Sequence, residues 1–148
     1  LMVLLAGPPV AAMAGALYVV VGELRGDTPF SNGGPRNSAE AAGMADAASL
    51  LRDVRQGANP TRVYSIRPEI ISSAVQRATT VEAAIWSRQV RLIRMLDREG
   101  LLRDSRLRNE LACLAVDLNT PDIAQYLMPD GPACTQGDAL ARMLARTQ

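Results

Sequence analysis

The sequence aligns with itself at an offset of 31 residues. Residues 79 to 100, "TTVEAAIWSRQVRLIRMLDREG", and residues 110 to 131, "ELACLAVDLNTPDIAQYLMPDG", each read as a short helix, a tight turn, a second helix and a closing glycine. Ala84 falls on Ala115, Leu92 on Ile123, Leu96 on Leu127 and Gly100 on Gly131. A pair of short helices cannot bury its apolar face alone, so copies of this kind must stack on one another. That requirement restricts the chain to layers of helix on helix.

Local signals mark the ends of these helices. Thr79 and Glu82 have the spacing of a capping box. In the second copy Thr120 caps, and Pro121 takes the first helical position, where its missing N–H costs nothing. The stretch "LLRDVRQGANP", residues 50 to 60, reads as the back half of an earlier, imperfect copy. Asn37 and Glu40 form a capping pair for a helix that reaches Gln56, with Leu50, Leu51 and Val54 on its buried stripe. Gly57 precedes Gly100 by 43 residues, so this copy needs an insertion. "RVYSIRPEIISSA", residues 62 to 74, supplies it, with Pro68 starting an additional helical turn. Residues 137 to 146, with Leu140, Met143 and Leu144, fit a capping helix at the end of a short stack.

The chain resembles the ankyrin repeat family over about residues 45 to 131. The features that carry the resemblance are "GANP", the "AA" of "EAAIW", "LAVDLNTPDIAQYL" and the closing glycines. The departures are specific. Thr79-Thr80-Val81-Glu82 and Glu110-Leu111-Ala112-Cys113 stand where the family has Thr-Pro-Leu-His. Arg88 and Asn119 stand where it has a glycine between the paired helices. The resemblance implies a protein-interaction function that uses loop tips and inner helices, here including Leu101, Leu102, Arg103, Asp104 and Arg106. A non-repetitive helical bundle is the alternative architecture.

Residues 1 to 22, "LMVLLAGPPVAAMAGALYVVVG", carry no charged side chain. As a helix they extend about 30 Å, the thickness of a hydrocarbon core. Pro8 and Pro9 then introduce a kink, and Gly7, Ala11 and Gly15 offer small side chains for close packing of a neighbouring helix. A cleaved signal peptide is the rival, but no charge precedes the apolar run. A start at Leu1 rather than Met carries the expectation of residues upstream. Residues 23 to 37, "ELRGDTPFSNGGPRN", read as a Pro/Gly-rich linker. The expected organisation is therefore all-α: a single transmembrane helix over residues 1–22, a linker over 23–37, and an ankyrin-like helical repeat stack over 38–148.

Composition narrows the chemistry. All 16 basic residues are Arg, and there is no Lys or His. A histidine base or metal ligand, a Schiff-base lysine and a phosphate-loop lysine are excluded. Nothing places two carboxylates together, since Glu82 and Glu110 read as helix-start residues. No catalytic residue, metal site, cofactor or small-molecule substrate is expected. A net charge of +1 and few aromatic residues argue against nucleic acid. Cys113 and Cys134 are either two buried thiols or one disulfide, the latter needing an oxidising compartment.

Arg88, Arg91, Arg94 and Arg98 recur every three or four residues, and Arg103, Arg106 and Arg108 follow. Between residues 88 and 108 seven arginines face Asp97, Glu99 and Asp104. The plain reading is a solvated helix face. The functional reading, with Leu101 at the same tip, is a surface for an acidic protein or for lipid head groups. Trp86 reads as packed under a loop rather than as an interface anchor.

The expected function is a non-catalytic, membrane-anchored interaction module: an accessory or scaffold subunit of a membrane protein complex, touching other subunits and membrane lipid. The expected place is a bacterial inner membrane with the folded part in the periplasm. The alternatives are an anionic-lipid-contacting module, an enzyme that uses Asp, Glu or Arg alone, and an assembly factor that recruits clients, a layout similar to that of bacterial cytochrome c maturation factors.

Overall fold

Residues 33–146 are described by the computed structural model, in which nine elements follow in order. These are α1 (Ser38–Gly43), α2 (Ala47–Arg55), β1 (Val63–Ser65), β2 (Arg77–Thr79), α3 (Thr80–Trp86), α4 (Val90–Arg98), α5 (Ser105–Asp117), α6 (Pro121–Leu127) and α7 (Asp138–Ala145). Helices α1/α2, α3/α4 and α5/α6 form three successive pairs.

One backbone device builds each pair. Ala45, Arg88 and Asn119 lie between the paired helices with φ of 58°, 58° and 54°. They are 43 and 31 residues apart, the same spacings that separate Gly57, Gly100 and Gly131, whose φ values are 92°, 80° and 87°. A left-handed residue at a helix end lets the next N–H groups turn back to the last carbonyls. Thus the Asp46 N–H donates to the Ala41 carbonyl at 2.9 Å and the Thr120 N–H to the Ala115 carbonyl at 2.8 Å. At the ends of the first two pairs, Ala58 donates to Asp53 (2.9 Å) and Leu101 to Leu96 (3.1 Å). Pro132 holds the matching place after Gly131 and has no N–H to give.

The expected single helix reaching Gln56 is therefore two. Asn37 does cap the first, accepting the Glu40 N–H at 3.0 Å. Asp46 caps the second, accepting the Ser49 N–H at 3.0 Å. The capping box at Thr79 forms in both directions, 3.2 Å from the Glu82 N–H and 2.8 Å back to the Glu82 carboxylate. Thr120 holds the N-cap position of α6 without capping it; its hydroxyl donates to the Ala115 carbonyl at 2.9 Å instead.

First helices pack on first helices, α1 against α3 and α3 against α5. Ala39, Ala42, Ala83, Ala84, Ala112 and Ala115 are fully buried there, because a methyl side chain permits close helix approach. Leu50, Leu92, Ile93, Leu96, Ile123 and Leu127 supply the larger buried side chains of the second helices.

The all-α expectation is corrected by the insertion. Residues 62 to 74 hold no helix; β1 runs antiparallel to β2, with Val63 opposite Thr79, Tyr64 opposite Ala78 and Ser65 opposite Arg77. Pro68 opens a single turn, closed by the Ile70 N–H on the Arg67 carbonyl at 3.1 Å. β-branched and aromatic residues in "RVYSI" favour the extended backbone.

The transmembrane expectation is also corrected. Its segment, residues 1–22 with Gly7, Ala11 and Gly15, lies outside the described residues. Among the described residues no helix is long and apolar enough to cross a membrane. Ser105–Asp117 has 13 residues, about 20 Å of helix against the roughly 30 Å of a hydrocarbon core. Placement as a single-pass protein of a bacterial inner membrane, with a periplasmic domain, is not supported.

Candidate interaction surface

Helix α4 presents its arginines on one side because its apolar residues take the other. Leu92, Ile93 and Leu96 are buried, while Arg91, Arg94 and Arg98 are exposed along one row. Arg88 is exposed in the turn just before them. Among the described residues no ion pair reaches any of these four. Arg91 donates to the Gln89 side-chain oxygen at 2.6 Å, and Arg94 lies 5.5 Å from the centre of the Tyr126 ring.

The acids beside this row are already engaged. Asp97 accepts Arg108 at 3.0 Å and the Tyr126 hydroxyl at 2.8 Å. Glu99 accepts Arg55 from α2 at 3.0 Å. Burial raises the Tyr126 pKa, and the Asp97 hydrogen bond and charge raise it further, against the opposing pull of Arg108 and Arg94. The carboxylates that sequence reading set against the stripe thus serve the fold, and the exposed row keeps its positive charge.

The rest of the expected partner surface divides. Arg108 belongs to the interior scaffold. It is half-buried and donates to the Leu127, Tyr126 and Leu102 carbonyls at 3.1, 3.3 and 3.3 Å, besides Asp97. Two of those carbonyls close the C-terminus of α6, where a cation is favoured. Arg106 pairs with Glu110 one turn on at 3.2 Å, exposed. Arg103 is exposed and lies over Gly100, where an added Cβ would meet its guanidinium at 3.0 Å. Leu101 is half-buried against the core and Leu102 is fully buried, so this tip covers the stack. Glu110 sits within α5, not at its start; Asp104 caps that helix, accepting the Arg106 N–H at 2.8 Å.

Cys113 and Cys134 form a disulfide that ties α5 to the connection before α7. Trp86 packs under α7 rather than under a loop, its indole N–H on the Met143 sulfur at 3.2 Å. Helix α7 does not simply cap the stack end. It lies against α5 and reaches α3 through Trp86 and through Arg146, which pairs with Glu82. A cavity of about 580 Å³ remains beside it, with Val81, Leu111, Leu114 and Ala139 among its walls.

One buried ionic site escaped sequence reading. Glu40, in α1, accepts the Arg67 guanidinium at 2.9 Å and the backbone N–H groups of Arg36 and Arg67 at 2.8 and 3.1 Å. Arg67 comes from the turn of the insertion, and no local pattern pairs positions 27 residues apart. Among the described residues no group of three or more His, Cys, Asp or Glu side chains could hold a metal ion.

No family model, curated protein or solved structure matches the chain.

Proposed function

We propose that residues 35–148 form a non-catalytic protein-interaction module, and that its partner presents an acidic surface to helix α4. The observation that carries this reading is the state of the acids on α4. Asp97 and Glu99 are bound to Arg108 and Arg55, while Arg91, Arg94 and Arg98 face solvent in one row with Arg88 at its head. Guanidinium groups in such a row can take carboxylates two donors at a time.

The architecture supports an ankyrin-like origin for the module. The family places glycine between its paired helices. Arg88 and Asn119, which replace that glycine, hold the left-handed conformation that glycine would adopt there. Binding through a stack of helix pairs is what short repeats of this kind do.

The test is fluorescence anisotropy with two labelled peptides of equal length, one rich in Glu and Asp, one neutral. The module binds the acidic peptide, and raising the salt from 50 to 300 mM weakens binding several-fold. The double change Arg91→Glu and Arg98→Glu removes it without altering the circular dichroism. Equal affinity for both peptides, or binding that survives the double change, rejects the reading.

A further inference from the structure

We propose that the face of α3 and α5 beneath α7 is a groove for an amphipathic helix, that α7 is its resident occupant, and that reduction of Cys113–Cys134 by a dithiol lets a partner helix of the same chemistry replace it. Four observations meet here. Helix α7 stands outside the paired pattern and follows a connection over residues 128–137 in which most residues are exposed. Anchors of α7 reach first helices. Met143 is buried against Trp86, Arg146 pairs with Glu82, and Asp117 accepts the Gly137 and Leu140 N–H groups at 2.6 and 3.0 Å.

The fit of α7 is also incomplete. Ala139 is buried against the groove, and a cavity of about 580 Å³ remains beside it, walled by Val81, Leu111 and Leu114 and rimmed by the charged side chains of Glu82, Glu110, Arg142 and Arg146. That volume is of the order that buries a small ligand or several side chains. A helix with a larger apolar residue at the position of Ala139 reaches into it; α7 does not. The chemistry of the occupant is read from α7 itself. It has apolar residues at 139, 140, 143 and 144, one turn apart, and an arginine at the C-terminal end for Glu82. This is the helix-in-groove mode of recognition.

The disulfide supplies the control. Cys113 is buried on α5, whereas Cys134 is exposed, three residues before Gly137. A thiolate of the dithiol attacks the sulfur of the exposed residue Cys134, the Cys113–Cys134 bond breaks, and Cys113 leaves as a thiolate that takes a proton from water. The second thiol of the reagent, ionised, then displaces Cys134. The dithiol ends as a disulfide, having given two electrons, and both cysteines end as thiols. The connection is then tethered at its α6 end alone, and the local concentration of α7 over the groove falls.

The groove shares no residue with the α4 row, so acidic-peptide binding through Arg91 and Arg98 and helix binding here stand or fall separately. The experiment uses the full chain, oxidised or treated with dithiothreitol, and a labelled peptide of residues 137 to 146. Trp86 is the only tryptophan, so its emission reports whether α7 is seated. Reduction shifts the emission to the red and tightens peptide binding about tenfold or more, as the competent fraction rises. A peptide carrying Met143→Asp does not bind. In the full chain Met143→Asp opens the groove with the disulfide intact and binds the unmodified peptide; if that variant fails to fold, Ala139→Glu serves the same purpose. Unchanged emission with equal peptide binding in both redox states overturns the proposal. So does a loss of the whole helical signal on reduction, which would make the disulfide a support of the entire fold.

Discussion

The Glu40 carboxylate holds the Arg67 guanidinium at 2.9 Å, with the Glu40 side chain only 1% exposed. Burial alone would push this carboxyl up. The Arg67 guanidinium and the backbone N–H groups of Arg36 and Arg67 outweigh that and hold its pKa below the usual value. A carboxyl depressed in the folded state contributes stability above its unfolded pKa, about 4.3, and that contribution is lost as pH falls through the folded value. Glu40→Gln is therefore expected to lower stability by about 2 kcal/mol at pH 7. The difference from the parent shrinks as pH falls below the carboxylate range. Urea titrations at pH 7 and pH 3 check this; an equal difference at both would place the effect elsewhere.

Arg88 and Asn119 hold equivalent left-handed turns, with φ of 58° and 54°, but they do not tolerate them equally. Asn hydrogen-bonds locally and visits this region readily, whereas a long side chain is strained there. Arg88→Gly is expected to raise stability by about 0.5–1 kcal/mol, less than the full strain because glycine also loosens the unfolded chain. Asn119→Gly changes it by no more than a few tenths. Thermal unfolding of the two variants side by side distinguishes them.

The tip between α4 and α5 gives a third contrast. Leu101 is half-buried and Leu102 fully buried. Leu102→Ala leaves a cavity under the stack and should cost about 2–4 kcal/mol. Leu101→Ala costs less, since part of its surface already meets water. Denaturant midpoints measure both. Equal losses would mean that the tip moves as one piece and that Leu101 closes the core as fully as its neighbour.

How far the sequence discloses this fold depends on the range of each signal. The glycines at 57, 100 and 131, the Thr79–Glu82 box and the buried alanines were legible because each acts within a few residues or recurs at a fixed offset. The turn at Ala45 was not, because alanine does not advertise a positive φ and an unbroken helical pattern runs through it. The hairpin at residues 63–79 was missed because its strands are three residues each and are separated by 11 residues. The α4 row was legible as a stripe. That its neighbouring acids serve Arg55 and Arg108 was not, since those contacts span 44 and 11 residues.

Arg108 and Arg98 look alike in the sequence and should behave in opposite ways. Arg108 reaches Asp97 and three backbone carbonyls, and its loss leaves the end of α6 without its donor. Arg108→Ala is expected to lower stability by about 1–2 kcal/mol, a value kept modest because the guanidinium is partly exposed. The same change frees Asp97 to offset the positive row on α4, so acidic-peptide binding weakens as well. Arg98→Ala, at an exposed position with no ion pair among the described residues, should leave stability within about 0.5 kcal/mol while weakening the peptide. Paired measurements of urea midpoint and peptide anisotropy separate the two roles. If Arg98→Ala destabilised the chain as much as Arg108→Ala and left binding intact, the α4 row would be part of the scaffold and not a surface for a partner.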